Sequence, residues 1–181
     1  MKTRPFDLKN EIFLKDDTLI TSKTDLQGRI TYGNQDFVAF SGFSEKEFLH
    51  KPHNLIRHPL MPRCAFKLLW DFLAQKHEFF AFVMNLNKTN QTYWVFANIT
   101  PSYDENGKVI SYYSVRRRPS KKGVETLTGI YQTLLEIEKG KGDRGMEEGV
   151  QFVLNFLEQN KISWDELMIN LQNEGKVGGY R

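Results

Sequence analysis

Three β-rich stretches follow one another through the middle of the chain, at residues 78–87, 92–101 and 108–117, and they constrain the fold more than any other feature. Their separators, Lys88-Thr89-Asn90-Gln91 and Tyr103-Asp104-Glu105-Asn106-Gly107, have hairpin length and turn chemistry. Strands joined so tightly pair antiparallel, because a parallel pair needs a crossover of about a dozen residues or more. Two shorter strands precede them, at residues 18–24 and 29–32, around the turn former Asp25-Leu26-Gln27-Gly28.

Helical signals fill the gap between the two groups of strands. Ser44 and Glu47 are spaced as a capping box, in which each side chain satisfies the other residue's orphan amide. From Pro62 onward, Phe66, Leu69, Trp70 and Leu73 share one face at helical period, which predicts a helix of about three to four turns. The class is therefore α+β with an antiparallel sheet. Beyond Pro119 the pattern turns helical again. Val124, Leu127, Ile130, Tyr131, Leu134 and Leu135 run up to Gly140, Val150 to Leu157 form a second run, and Ser163 with Glu166 forms a capping box before Leu167 and Leu171. Two or three such short helices are stable only when their apolar faces pack on something.

The chemistry a chain of 181 residues could perform is narrowed by what it contains. The balance of 25 basic against 22 acidic residues, a net charge of +3, gives no basis for nucleic-acid binding through bulk charge. One cysteine, Cys64, permits neither an internal disulfide nor a paired-cysteine metal site, in keeping with a reducing compartment. The N-terminal residues form no apolar signal region and no stretch approaches the roughly 18 apolar residues of a membrane span, so a cytoplasmic protein is expected. No nucleophile elbow, Walker loop, dinucleotide fingerprint or metalloprotease motif is present, so enzymatic turnover is not expected.

The segment Pro52-His53-Asn54-Leu55-Ile56-Arg57-His58-Pro59-Leu60-Met61-Pro62 concentrates stiff and cationic residues in a loop that simple packing does not call for. Strand alternation puts Phe79, Ala81, Val83 and Asn85 on one face, and a helix bearing Phe66 and Trp70 could close over it. With Asn34, Arg57 and His58 this makes a candidate pocket for a flat apolar ring, with asparagines to read donor and acceptor edges and an arginine to fork onto an anion. The alternative is an aromatic core beside a surface loop. His53 and His58 are also candidates for a single proximal ligand to haem iron. A zinc site has no support, because the histidines, His50, His53, His58 and His77, lack helical i, i+4 spacing.

The order TDLQGRITYGN, SGFSEKEFLHKPHNLIRHPLMP, AFKLLW and YWVFANITP strongly resembles the PAS domain of bacterial aerotaxis receptors, over about residues 19–118. The resemblance implies a PAS fold: a five-stranded antiparallel sheet with flanking short helices, here followed by a C-terminal helical extension. The implied division is a cap segment at 1–17, a PAS sensor domain at 18–118 and the extension at 119–181. It also implies non-covalent FAD, redox sensing for energy taxis, and contact with a membrane-bound chemotaxis-type receptor that holds the protein at the inner membrane face. Asn34, Arg57, His58, Phe66, Trp70 and Asn85 match positions tied to flavin binding or pocket shape, and His53 is counted with them. Two positions depart from the family: Leu60 stands where an aspartate is usual, and Phe79 where a tryptophan is usual. A cofactor-free adaptor and a haem-based gas sensor are the alternative functions.

Phe80, Phe82 and Met84 alternate onto the opposite strand face, with Trp94 and Phe96 beside them. So apolar a face must be covered, whether by residues 6–14, by the helical tail, by a signalling partner or by a second copy of the chain. The run Arg116-Arg117-Arg118 reads either as a solvated strand end or as a contact for acidic partners or lipid headgroups.

Overall fold

A computed structural model describes residues 10–173. Five strands, β1 (Ile20–Thr24), β2 (Ile30–Gly33), β3 (Phe79–Leu86), β4 (Thr92–Tyr103) and β5 (Val109–Arg117), form one sheet in the order β2-β1-β5-β4-β3. Every pairing is antiparallel. The expected meander is present, and β5 carries it to the first hairpin by pairing with β1, Ile20 opposite Arg116 and Ser22 opposite Ser114.

Short helices occupy one face of the sheet: α1 (Gln35–Ser41), α2 (Glu45–Phe48), a 3-10 turn (His53–Ile56) and α3 (Arg63–Ala74). The capping box before α2 is formed, with the Ser44 amide donating to Glu47 at 2.9 Å. Pro62 stands just ahead of α3 as its cap residue, where its missing N–H leaves nothing unsatisfied. On this inner face Ile20, Ile30, Phe37, Phe48, Tyr93, Val95 and Ala97 form a core with Leu14. The described part of the N-terminal segment runs beside the start of β4, where the Ile12 amide donates to Thr92 O at 2.8 Å; residues 1–9 of the cap segment lie outside the described residues.

Three helices follow the sheet, α4 (Lys121–Glu138), α5 (Gly142–Asn160) and α6 (Trp164–Asn173), and they cover its outer face. Phe82, Met84, Trp94 and Phe96 are all buried, in one cluster with Val124, Leu127, Tyr131 and Leu134 of α4 and Met168 of α6. Contact is close enough that a Cβ built on Gly123 would lie 2.1 Å from the Phe82 ring. Tyr131 stacks on Trp94 with ring centroids 6.1 Å apart. The face proposed as a homodimer surface, Phe80, Phe82, Met84, Trp94 and Phe96, is thus taken up by the chain's own tail, since an apolar sheet face finds its cover first among segments already tethered to it.

The same helices close the free edge of β3. Tyr131 Oη donates to Phe82 O at 2.6 Å and Trp164 Nε1 to Phe80 O at 2.7 Å, while the His58 amide donates to Met84 O at 3.4 Å. An edge strand left with bare carbonyls is a template for unwanted pairing.

Candidate functional site

Between the inner sheet face and α3 lies a cavity of about 340 Å³, within the roughly 300–1,000 Å³ usual for ligand sites. Phe66, Leu69, Trp70 and Leu73 form one wall, the apolar face that helical spacing predicts for α3. Val83 and Asn85 of β3, Ala97 and Ile99 of β4, and Tyr112, Ser114 and Arg116 of β5 form the floor. The 3-10 turn and the residue after it add His53, Asn54 and Arg57 to the lining.

Each end of the cavity is fixed by local structure. Trp70 is half exposed, set edge-on to Tyr112 at 5.7 Å between centroids. Gly28 lies directly beneath it with φ +75° in the first hairpin turn, and a built Cβ there would sit 3.1 Å from the indole. That combination of left-handed backbone and close approach is what requires glycine. Arg57 lies over the Phe66 ring at 4.1 Å and donates through Nη2 to Met61 O at 2.9 Å. Its loop reaches the sheet through the Arg57–Asn85 bridge.

Arg116 is the residue sequence reasoning missed. It is only 5% exposed, and its Nη2 donates to Ser22 Oγ at 2.8 Å and lies 2.7 Å from His53 Nε2. A guanidinium has only donors to offer, so Nε2 must accept, and the ring proton of neutral His53 resides on Nδ1. Burial, with the Arg116 charge adding to it, pushes the His53 pKa down to about 3. Burial also lowers that of Arg116 to about 10, which leaves it charged at neutral pH. The Nη1 group of Arg116 and the Ser114 hydroxyl are both buried without a hydrogen-bond partner among the described residues. Asn85, 4% exposed, lines the same cavity.

Of the candidate site residues, the cavity gathers His53, Arg57, Phe66, Trp70 and Asn85. The other three lie outside its lining. Asn34 caps α1, its Oδ1 accepting from Phe37 N and Thr21 N at 3.0 Å and its Nδ2 donating to Leu19 O at 2.7 Å. His58 turns back on its own loop, where Nδ1 accepts from the Leu60 amide at 3.1 Å, and burial lowers its pKa. Phe79 packs beneath the tail, stacked on Trp164 at 5.3 Å and edge-on to Phe72, also at 5.3 Å. Strand alternation put Phe79 with Val83 and Asn85, but α3 and α6 close over that end of β3 and Phe79 packs in the cluster shared with the tail. Leu60 packs against the outer core and not the cavity, so the missing carboxylate there leaves Arg57 held by Met61 O and Phe66.

Comparison with known proteins matches this geometry to a family. The model of the PAS fold matches residues 30–116. The chain is 37% identical over 134 residues to the aerotaxis receptor of Escherichia coli (strain K12), covering 74% of this chain and 26% of that protein. It is 27% identical over 96 residues to the nitrogen fixation regulatory protein of Klebsiella pneumoniae, covering 53% of this chain and 19% of that one. The chain therefore spans about a quarter or less of the length of these two relatives. Among solved structures, the light state of the blue-light photoreceptor Aureochrome1 LOV superimposes with a TM-score of 0.56 at 17% identity, over 63% of this chain and 91% of its own. That likeness establishes the fold. Among the described residues no helix is long and apolar enough to cross a membrane.

Proposed function

Because residues 30–116 belong to the PAS fold family, we propose that this chain is a redox sensor for energy taxis. In this reading the PAS domain holds FAD non-covalently and passes its signal by protein contact to a membrane-bound chemotaxis-type receptor. The observation that carries the proposal is the cavity itself: ligand-sized, apolar on its α3 wall, and lined by Asn85 and by two residues, Arg116 and Ser114, whose Nη1 and Oγ have no hydrogen-bond partner among the described residues. Buried polar atoms are rarely left unpaired, so unpaired ones on residues that line a cavity suit a ligand that completes them. Similarity to an aerotaxis receptor makes flavin the first candidate.

The residues present fit that group. Phe66, Leu69 and Trp70 would flank a flat ring, Asn85 and Arg116 with Ser114 would meet its polar edges, and Arg57 would face the phosphates. Asn34, His58 and Phe79 act on pocket shape: they tie α1 to β1, order the loop before Leu60, and support α3 through Phe72. A bound flavin supplies reversible electron uptake. The protein's part is to exclude water, fix the ring, and convert a buried charge change into movement of the groups around it. His53 Nε2 is committed to a guanidinium, and a haem iron placed there would stand against a positive charge, so the haem alternative loses its best ligand.

An absorption spectrum of the purified full chain, expressed with riboflavin, should show the two visible flavin bands, with FAD released on denaturation. No flavin after purification, and none after reconstitution with FAD, would sink the proposal.

A further inference from the structure

Among the described residues Arg116 is a charge without a counter-ion. Its lining neighbours include a second cation, Arg57, but no aspartate and no glutamate, and among the described residues no carboxylate pairs with it. The titratable groups around it are His53, held neutral, and Tyr93, whose phenol burial pushes up and keeps protonated. Within the fold the charge meets the face of the Phe37 ring at 5.8 Å, a contact that does not replace a counter-ion. The bonds to Ser22 and His53 both come from one nitrogen, Nη2, and a neutral amide could donate them. Meanwhile Nη1 and the Ser114 hydroxyl, two residues apart and so on one face of β5, have no partner among the described residues.

We infer that Arg116 is the residue that makes this pocket charge-selective: it favours a ligand, or the state of a ligand, that places negative charge against β5 over one that is neutral there. The inference rests on the flavin reading above and deepens it. A flavin ring that has taken up two electrons and one proton carries one negative charge, whereas the oxidised ring is neutral. A fixed cation in a low-dielectric site therefore holds the charged form more tightly.

The test uses the full chain with FAD, as wild type and as R116Q, R116M and R116K. Midpoint potentials of bound and free flavin, read spectroscopically during dithionite titration against a reference dye, give the ratio of affinities for the two states. R116Q and R116M should each lower that ratio at least tenfold, a shift of about 30 mV to more negative potential for a two-electron couple, while R116K keeps it within a few-fold of wild type. An unchanged potential in the two neutral variants overturns the inference and leaves the flavin reading standing. Loss of flavin from all three variants with far-UV circular dichroism unchanged also overturns it, because lysine retains the charge. Absence of flavin from the wild-type chain overturns both.

Discussion

His53 shows how a single proton is placed by its surroundings. Its pKa of about 3 lies below the model-peptide value of about 6.5, so the unfolded chain binds a proton that the folded chain refuses. The resulting stability is complete above pH 6.5 and is lost as pH falls towards 3, by at most about 1.4 kcal/mol per pH unit. Replacing His53 with glutamine, which keeps an acceptor for Arg116, should flatten the pH dependence of unfolding free energy between pH 6 and 4, as measured by urea titration. Arg116 makes the opposite kind of prediction. Removing a buried, uncompensated charge while filling its space is often stabilising, so Arg116→Met should stabilise the flavin-free chain by about 1–4 kcal/mol in thermal unfolding; a loss of similar size would make it a brace. Phe66, Trp70 and Asn85 were legible because periodicity and strand parity determine where they face, whereas Arg57 stood out through the stiff, cationic composition of its loop. Arg116 was hidden inside a run of three arginines, although the alternation Tyr112, Ser114, Arg116 already separates it from Arg117. Asn34 reads two ways for a related reason: an asparagine just ahead of a helix is as good a cap as it is a ligand contact, and here it caps α1.

Helix α3 belongs to two structures at once. One face walls the cavity, while its first turn is held by the tail: Glu138, the last residue of α4, accepts from the Arg63 amide at 2.8 Å and the Cys64 amide at 2.7 Å. Gly149 of α5 packs on Cys64, where a built Cβ would lie 2.9 Å from Sγ. Movement of the pocket wall therefore reaches α4 and α5 directly. Glu138→Ala removes a cap from outside the helix and should cost about 1 kcal/mol, by analogy with ordinary N-caps, with a faster flavin off-rate as the sign that α3 loosens. The hydroxyl of Tyr131 is buried against Phe82 O. Tyr131→Phe should cost about 1–3 kcal/mol, checked by chemical denaturation. At this scale the sequence was most readable in the strands and in α3, whose periods are unambiguous, and the capping box Ser163–Glu166 is formed, with the Ser163 amide donating to Glu166 at 2.9 Å. What periodicity could not supply is which apolar faces meet, since a helical stripe looks alike whether its partner is its own sheet or another chain.

For the molecule as a whole, the covered outer face relocates the question of output. Phe82 is fully buried beneath α4, so Phe82→Asp would place an unpaired charge in the core and cost more than about 3 kcal/mol. Its effect should appear as tail detachment, read by protease sensitivity after Pro119, before any question of a partner arises. The side-chain donors along β3 carry a further consequence. Tyr131 and Trp164 stand where the amides of a sixth strand would stand, each meeting a carbonyl that such a strand would claim. The helical extension is therefore a removable guard on an adhesive border. A chain cut after Pro119 bares that border together with the apolar face beside it, and should associate with a dependence on concentration that the intact chain does not show.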